Sequence, residues 1–211
     1  AKAEMMGTGT ASFSRFKLGS FDVTTLLAGT RTVGEPQKIF GTNATTEDFA
    51  AASAAAFIPT DKAQFYFTPT VVNTGAELVL FDTGLNPDGI TGALSAAGYS
   101  PDQIDVVVIT HMHGDHIGGL SGDAGVTFPN ARYVTGADEH NHWAGQANEG
   151  FDKLVKPLNE KMTMIDDGGS VASGITGMNA FGHTPGHMVY VVESDGQRLA
   201  ITADTANHFV W

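Results

Sequence analysis

The stretch at residues 110–119 concentrates the side chains of this chain that could bind metal ions. It reads Thr-His-Met-His-Gly-Asp-His-Ile-Gly-Gly and places His111, His113, Asp115 and His116 within six positions. Imidazole and carboxylate groups are ligands that zinc, manganese, iron and cobalt accept from proteins. A solvated histidine-rich loop is the simpler alternative, but four ligand-type residues with partners downstream favour a metal site.

The elements around this stretch predict how it is positioned. Residues 104–109, Ile-Asp-Val-Val-Val-Ile, directly precede it and predict a buried strand. Open α/β sheets place their sites at the carboxyl ends of such strands. Gly114, Gly118 and Gly119 are expected to let the backbone turn tightly enough for the ligands to converge.

Two later stretches add ligand-type residues at strand ends. Gly-His-Thr-Pro-Gly-His at 182–187 contains His183 and His187, and Ile-Thr-Ala-Asp-Thr at 201–205 ends an apolar strand in Asp204. We therefore expect two metal positions. The first would be held by His111, His113 and His183. The second would be held by Asp115 and His116, with Asp204 as a ligand shared by both. A metal pair about 3.5–4 Å apart holds a shared water, lowers its pKa and stabilises an oxyanion, which predicts metal-assisted hydrolysis.

Asp82 ends another predicted buried strand, Leu-Val-Leu-Phe, at the sequence Asp-Thr-Gly. A buried carboxylate destabilises the fold unless it is paired. Asp82 could cap a turn, but the ligand set favours a residue that orients a metal-bound histidine through its other ring nitrogen. His187 is expected to support the site in a similar way rather than to bind metal.

The remaining histidines and aromatic residues are weaker candidates. His140 and His142 fall on a predicted surface helix and are expected to be solvated, and His208 is a candidate for the pocket. Phe65 and Phe67 belong to an aromatic cluster whose composition is typical of a core. Their place between the first strands and the metal ligands also suits the wall of a substrate cleft.

Composition limits the class of protein. The 211 residues are most economically one domain at 16–211 after a lead-in at 1–15. Because 23 acidic residues outnumber 11 basic ones, the net charge of −12 argues against a nucleic-acid partner. No apolar run reaches the ~20 residues that span a bilayer, so no membrane partner is expected. The absence of cysteine excludes thiolate chemistry and leaves the compartment open between periplasmic or secreted and cytoplasmic.

Hydrophobic periodicity predicts a mixed fold with more sheet than helix. Predicted strands lie at 21–28, 65–67, 70–73, 77–81, 104–109, 131–134, 174–182, 187–192 and 198–202. Predicted helices lie at 46–57, 90–97, 137–146 and 151–161, the first capped by Thr45 or Thr46 and the last bent at Pro157. Residues 30–44 are predicted to be a loop. The fold class is therefore α/β or α+β.

The three histidine and aspartate motifs, together with Asp-Thr-Gly at 82–84, resemble those of the metallo-β-lactamase superfamily over residues 16–211. The resemblance implies an αββα sandwich, in which two facing mixed sheets carry helices on the outside and a dinuclear site at one edge. It implies the ligand assignment given above and a metal-bridging hydroxide as nucleophile, with Asp115 shuttling the proton. The cofactors would be two divalent ions, zinc first, with manganese, iron or cobalt as alternatives.

Within the superfamily, residues 72–84, 128–131 and 190–194 resemble the methyl parathion hydrolases and their lactonase relatives. The resemblance implies a small-molecule phosphotriester, lactone or activated ester as substrate and an aromatic pocket to which Trp143 would contribute. The family expects one further histidine ligand well after the bridging aspartate, so a C-terminal segment beyond Trp211 is expected. Asn207 stands in the region where signalling-lactone hydrolases carry a tyrosine, which tilts the prediction away from a dedicated acyl-homoserine lactonase.

Other functions remain open on the sequence. A glyoxalase II-like thioesterase shares the first motifs, and a non-catalytic metal-binding module of the same fold would explain a second site that lacks a ligand. A β-lactamase with a cysteine ligand is excluded because the chain has none. Charge disfavours an RNA-processing nuclease. The sequence leaves a homodimer open.

Overall fold

The computed structural model describes residues 11–211. Its strands, in chain order, are β1 (Phe13–Leu18), β2 (Phe21–Leu26), β3 (Gly29–Gly34), β4 (Lys62–Phe67), β5 (Thr70–Asn73), β6 (Leu78–Phe81), β7 (Val106–Ile109), β8 (Ser121–Gly122), β9 (Gly125–Val126), β10 (Arg132–Gly136), β11 (Met162–Ile165), β12 (Ser170–Ala172), β13 (Ile175–Asn179), β14 (Met188–Ser194) and β15 (Gln197–Ile201). Its α-helices are α1 (Thr46–Ala55), α2 (Pro87–Ala96), α3 (Gly114–Ile117) and α4 (Ala137–Ala144).

Two facing sheets form the body of the protein. The larger sheet has the strand order β1-β2-β5-β6-β7-β10-β11, and the smaller one runs β12-β13-β14-β15. The larger sheet is mixed, since β6, β7, β10 and β11 pair in parallel while the others are antiparallel. The predicted two-sheet sandwich is confirmed, but the smaller sheet is antiparallel throughout rather than mixed.

Alternation along β7 explains why the larger sheet is buried on both faces. Val106 and Val108 belong to the core between the two sheets, whereas Val107 and Ile109 belong to the core beneath the helices. Successive side chains of a strand point to opposite faces, so an unbroken apolar run fits a strand that is covered on both sides. All four side chains are fully buried, which anchors the strand that leads into the metal-ligand stretch.

Local sequence signals account for most helix boundaries. The Thr45 side chain caps α1 by accepting a hydrogen bond from the backbone N–H of Asp48, as predicted. Helix α2 begins at Pro87 behind the cap Asn86, three residues before its predicted start. The stretch predicted as a bent helix is a π-turn followed by a 3₁₀ helix.

Several predicted boundaries were wrong. Residues 29–34 form β3, which pairs with β4 in a two-stranded sheet, although 30–44 were predicted to be a loop. Strand β1 begins at Phe13, inside the predicted lead-in, because it pairs along its whole length with β2. Residues 1–10 of that lead-in lie outside the described residues. Within 11–211 the helices are all too short or too polar to cross a lipid bilayer.

Candidate metal centre

The metal-ligand stretch, residues 110–119, directly follows the buried strand β7. Strand β7 ends at Ile109, and the following residues lead into the short helix α3, for which His113 is the N-cap residue. His183 lies in the loop before β14, and Asp204 follows β15 in a single 3₁₀ turn. Residues from both sheets therefore meet at one edge of the sandwich.

Three histidines converge on one point. His111 Nε2 lies 3.2 Å from His113 Nδ1, which lies 3.0 Å from His183 Nε2. Two nitrogens bound tetrahedrally to one zinc at 2.0–2.1 Å are about 3.3–3.4 Å apart, so this spacing fits a shared ion. We call His111, His113 and His183 the three-histidine cluster.

Hydrogen bonds determine which nitrogen of His111 faces the cluster. The Thr110 hydroxyl donates to Asp82 Oδ2 at 2.8 Å, so it accepts from His111 Nδ1 at 3.1 Å. The proton of His111 then lies on Nδ1, and Nε2 keeps its lone pair. An orienting partner of this kind is common for histidines that bind metal.

The remaining ligand candidates form a second group, which we call the acidic cluster: Asp115, His116 and Asp204. The two carboxylate oxygens of Asp204 lie 3.5 Å from His116 Nε2 and 3.3 Å from His183 Nε2. Asp204 thus lies between His116 of the acidic cluster and His183 of the three-histidine cluster, in the position of a ligand that two ions would share. Asp115 is farther away, with 3.7 Å between its carboxylate and His116 Nε2.

Asp82 holds His116 in place. His116 Nδ1 donates to Asp82 Oδ2 at 2.8 Å, while the other oxygen of Asp82 accepts the backbone N–H of Thr110 at 2.9 Å. Asp82 has the left-handed backbone conformation, with φ of 60°. Such strain is retained where neighbouring contacts overdetermine it, and here those contacts tie Asp82 to Thr110 and His116, near the two ends of the metal-ligand stretch.

Electrostatics differ between the two clusters. Burial and the neighbouring His116 lower the pKa of His111 to about 2, and burial also lowers the pKa of His183. Burial opposes a charge on His116, but Asp82 and Asp204 raise its pKa to about 10. Burial likewise opposes the charge of Asp204, yet its hydrogen bond to His116 brings its pKa below the usual value.

The donor set fits divalent cations. His111, His113 and His183 form one group and His111, His116 and Asp204 another, with the ligand atoms of each group within 4.8 Å of one another. Imidazole and carboxylate without thiolate suit zinc, manganese, iron or cobalt. The first group consists of imidazole nitrogens alone, and the second adds the carboxylate oxygens of Asp204.

His187 and His208 take different roles. His187 is fully buried, donates from Nδ1 to the Ala180 carbonyl at 3.1 Å and accepts the backbone N–H of Asp204 at Nε2, 3.2 Å away. Both of its nitrogens are used, so it supports the Asp204 turn.

His208 Nδ1 accepts the backbone N–H groups of Val210 and Trp211.

A cavity of about 940 Å³ opens beside the acidic cluster. Phe65, Phe67 and His208, the candidates for a substrate pocket, line it, and so do Phe40 and Trp211. The aromatic rings stack on one another, with centroids 5.5 Å apart for Phe40 and Phe65 and 5.7 Å for Phe40 and Trp211. Asp82, Asp115, His116 and Asp204 form its polar end.

Trp143 corrects the predicted pocket. It does not belong to the cavity lining; its ring packs edge-on against His113 with the centroids 6.0 Å apart. Its indole N–H donates to Glu139 at 2.6 Å. Glu139 lies one turn earlier on the same helix, so this bond holds the indole ring against His113.

Two other expectations need correction. His140 was predicted to be solvated, but it is buried, with Nε2 bonded to Asn159 and its ring packed on Phe151. Gly118 and Gly119 matter for close approach rather than for unusual backbone angles. A Cβ on either would lie 2.2 Å from a backbone oxygen of the loop after Asp82.

Sequence reasoning missed Glu139 and the orienting role of Thr110. Glu139 is a fully buried carboxylate with four hydrogen-bond donors around it. An acidic residue in the first turn of a helix is usually explained by the helix dipole, so its sequence position does not distinguish it. Thr110 directly precedes His111, which is the only local signal for its role.

The metallo-beta-lactamase superfamily model matches residues 68–208, which include every ligand candidate named above. The chain belongs to that superfamily. The structure has the metallo-beta-lactamase fold, as its sandwich and the position of the site at one sheet edge indicate. The narrower resemblance to methyl parathion hydrolases stays a prediction.

Curated relatives include lactonases and a thioesterase. An N-acyl homoserine lactonase of Bacillus sp is 28% identical over 51% of this chain and 40% of its own length. An atrochrysone carboxyl ACP thioesterase of Passalora fulva is 28% identical over 64% of this chain and 36% of its own length. The chain spans about half the length, or less, of the curated relatives that it matches.

Solved structures with the same fold include two hydrolases. AidC, a dizinc quorum-quenching lactonase in complex with a product, N-hexanoyl-L-homoserine, has a TM-score of 0.78 at 23% identity, covering 90% of this chain and 73% of that chain. The hydrolase AbOPH of the beta lactamase superfamily has a TM-score of 0.80 at 24% identity, covering 92% and 74%. At these identities the likeness shows the fold alone.

Proposed function

We propose that the protein is a hydrolase that binds two divalent cations, zinc first, and cleaves lactones, activated carboxylic esters or phosphotriesters. The observation that carries this proposal is the convergence of three imidazole nitrogens beside Asp204, whose carboxylate lies at the polar end of an aromatic cavity. The lactonases among the relatives support the ester and lactone part of the substrate class.

The chain's own groups divide the work of such a reaction. Bound cations supply Lewis acidity, which activates water and polarises the acceptor oxygen of the substrate. Asp115 lines the cavity with a side chain that is 33% exposed, so its carboxylate is placed to take up and return a proton. The rings of Phe40, Phe65 and Phe67 would bind the apolar part of the substrate and exclude water.

The charge of the cavity favours a neutral substrate. Among the described residues that line it, Lys62 is the single cationic lysine or arginine side chain, and the acidic residues lie at the metal end. Apart from Lys62, the described part of the aromatic walls therefore lacks the basic side chains that would neutralise a substrate with several negative charges. Neutral lactones, esters and phosphotriesters meet this condition better than polyanions such as RNA.

Two observations bear on the choice within this class. Asn207, which stands where a signalling-lactone hydrolase has its tyrosine, donates to Asp204 at 2.8 Å and so supports the bridging carboxylate instead. We therefore propose lactones and esters as a class rather than acyl-homoserine lactones in particular. The thioesterase among the relatives makes a thioester the second candidate.

A substrate panel with metal analysis tests this function. Purified protein loaded with Zn²⁺ would be assayed on N-hexanoyl homoserine lactone, a simple δ-lactone, a 4-nitrophenyl ester, a 4-nitrophenyl dialkyl phosphate and a glutathione thioester. We expect about two metal equivalents per chain and turnover of at least one neutral substrate, lost with a chelator and restored by the metal.

The outcomes separate the competing functions. Turnover confined to the thioester would support the thioesterase. About one equivalent or none, without turnover, would support a non-catalytic metal-binding module. Two equivalents with no turnover of any substrate in the panel would contradict the proposed hydrolase.

A further inference from the structure

Glu139, in the first turn of α4, is a buried carboxylate that no step of the proposed reaction uses. It is fully buried, and each of its oxygens accepts two hydrogen bonds. Oε1 accepts the backbone N–H of Met112 at 2.8 Å and the indole N–H of Trp143 at 2.6 Å. Oε2 accepts the Thr184 hydroxyl at 2.6 Å and the backbone N–H of Gly186 at 3.1 Å.

These four donors connect the segments that carry the three-histidine cluster. Met112 lies between His111 and His113, and Thr184 directly follows His183. The donors thus come from both ligand loops and from the indole that packs against His113. One carboxylate therefore joins two segments that are about seventy residues apart in the chain, as are His113 and His183.

The helix dipole does not explain this arrangement. A carboxylate that serves the dipole lies near the free N–H groups of its own first turn and is usually exposed. Among the donors to Glu139 none is an N–H of that turn. Burying a carboxylate costs several kcal/mol unless its lone pairs are satisfied, so the four donors are a structural requirement.

Backbone packing shows independently that the second loop rests on α4. A Cβ atom added to Gly186 would lie 2.0 Å from the backbone nitrogen of Glu139 and 2.5 Å from the carbonyl carbon of Asp138. Only glycine allows this approach. The His183 loop is therefore seated against the start of the helix from which the Glu139 side chain extends.

We propose that Glu139 is a positioning residue, whose carboxylate presets the spacing of His111, His113 and His183 for a divalent cation. The inference rests on the proposed function, because it assumes that this cluster binds metal. Three of its four donors, two backbone N–H groups and an indole, cannot accept a hydrogen bond. Both oxygens must therefore remain acceptors for the two loops to stay joined.

The test is the Glu139→Gln variant of the whole chain. The amide keeps the size of the side chain, but its NH₂ group cannot accept, so at least one N–H of the two loops or the indole loses its acceptor. Partners that orient metal ligands change metal affinity by about 10–100-fold. We expect Zn²⁺ affinity, measured by competition with a chromophoric chelator, to fall by that factor, and the visible spectrum of the Co²⁺-loaded protein to change.

Tyr133→Phe is the matched control. Its hydroxyl is buried and donates to the Phe128 carbonyl at 3.1 Å, in the core beneath the helices. Removing it is expected to lower the melting temperature but to leave Zn²⁺ affinity and the Co²⁺ spectrum unchanged. The control separates a general loss of stability from a loss of ligand positioning.

The outcomes distinguish the two proposals. If the wild-type protein binds no divalent cation, the proposed function is overturned, and so is the assumption that the three-histidine cluster binds metal. Wild-type binding together with an unchanged affinity and Co²⁺ spectrum in Glu139→Gln would overturn the role of Glu139 alone. If that variant does not fold, Thr184→Val, which removes one donor, carries the test: a weaker affinity supports the inference and an unchanged one overturns it.

Discussion

The three-histidine cluster and the acidic cluster use the same residue types but differ in charge. In the first, burial lowers the pKa values of His111 and His183, which favours their neutral forms. In the second, His116 lies between Asp82 and Asp204 and its pKa is raised to about 10. The comparison shows that the first cluster offers free lone pairs, whereas the second balances its own charge with a proton.

The supports of the two clusters differ as well. Glu139, on helix α4, accepts four hydrogen bonds that join the two loops of the three-histidine cluster. His116 depends on Asp82, whose backbone conformation is strained. A change at a ligand should therefore have a larger effect than a change at a supporting residue, and each support should affect its own cluster first.

The largest effect is expected from His183→Ala, which removes a ligand of the first cluster and the neighbour of Asp204. We expect loss of metal and activity together, beyond the roughly 10–100-fold typical of a supporting residue. Metal analysis and a substrate assay measure it. His142→Ala, at a histidine outside both clusters, is the control and should keep both. Retention of both metals in His183→Ala would show that the ligand assignment is wrong.

An intermediate effect is expected from Asp82→Asn, which weakens the acceptor of His116 Nδ1. Asparagine tolerates the left-handed backbone, so the change tests the carboxylate rather than the turn. We expect metal affinity at the acidic cluster to fall by about 10–100-fold. Thr110→Val, which removes the orienting partner of His111, should act on the three-histidine cluster instead. Metal-binding titrations that give the same affinity for Asp82→Asn and the wild type would contradict the role of Asp82 in holding His116.

The acidic cluster should also make the stability of the metal-free protein depend on pH. Because the pKa of His116 rises from 6.5 to about 10 on folding, its contribution to stability is complete below 6.5 and is lost as pH rises toward 10. We expect the free energy of unfolding, from urea titrations, to decline between pH 7 and 10. His116→Gln should flatten that decline, and an identical slope in the variant would assign it to other groups.

Local patterns account for what could be predicted from the sequence. The apolar run before His111 predicted β7, and Thr45 predicted the start of α1, because both signals depend on neighbouring residues. The prediction failed for β3, whose six residues include two glycines and only one apolar side chain. That strand exists because it pairs with β4, whose paired residues lie 28 to 38 positions away in the chain.

In the candidate site, too, short spacings could be interpreted from the sequence, whereas contacts between distant segments could not. The close spacing of His111, His113, Asp115 and His116 identified metal chemistry, because one short loop brings such residues together in any fold. His140 was expected to be solvated because its helix was predicted to lie at the surface, but packing against Phe151 and Asn159 buries it. Trp143 was assigned to the pocket from a resemblance, and only its bond to Glu139 shows which way the ring points.

The sequence by itself determined the metal-binding chemistry, the class of fold and the family of motifs, since these follow from residue types and short spacings. The tertiary structure decided how the motifs combine. It placed Asp204 between His116 and His183, set the charge of each histidine and joined two ligand loops through Glu139. Those features depend on distances between segments far apart in the chain, and such distances are set when the two sheets pack face to face.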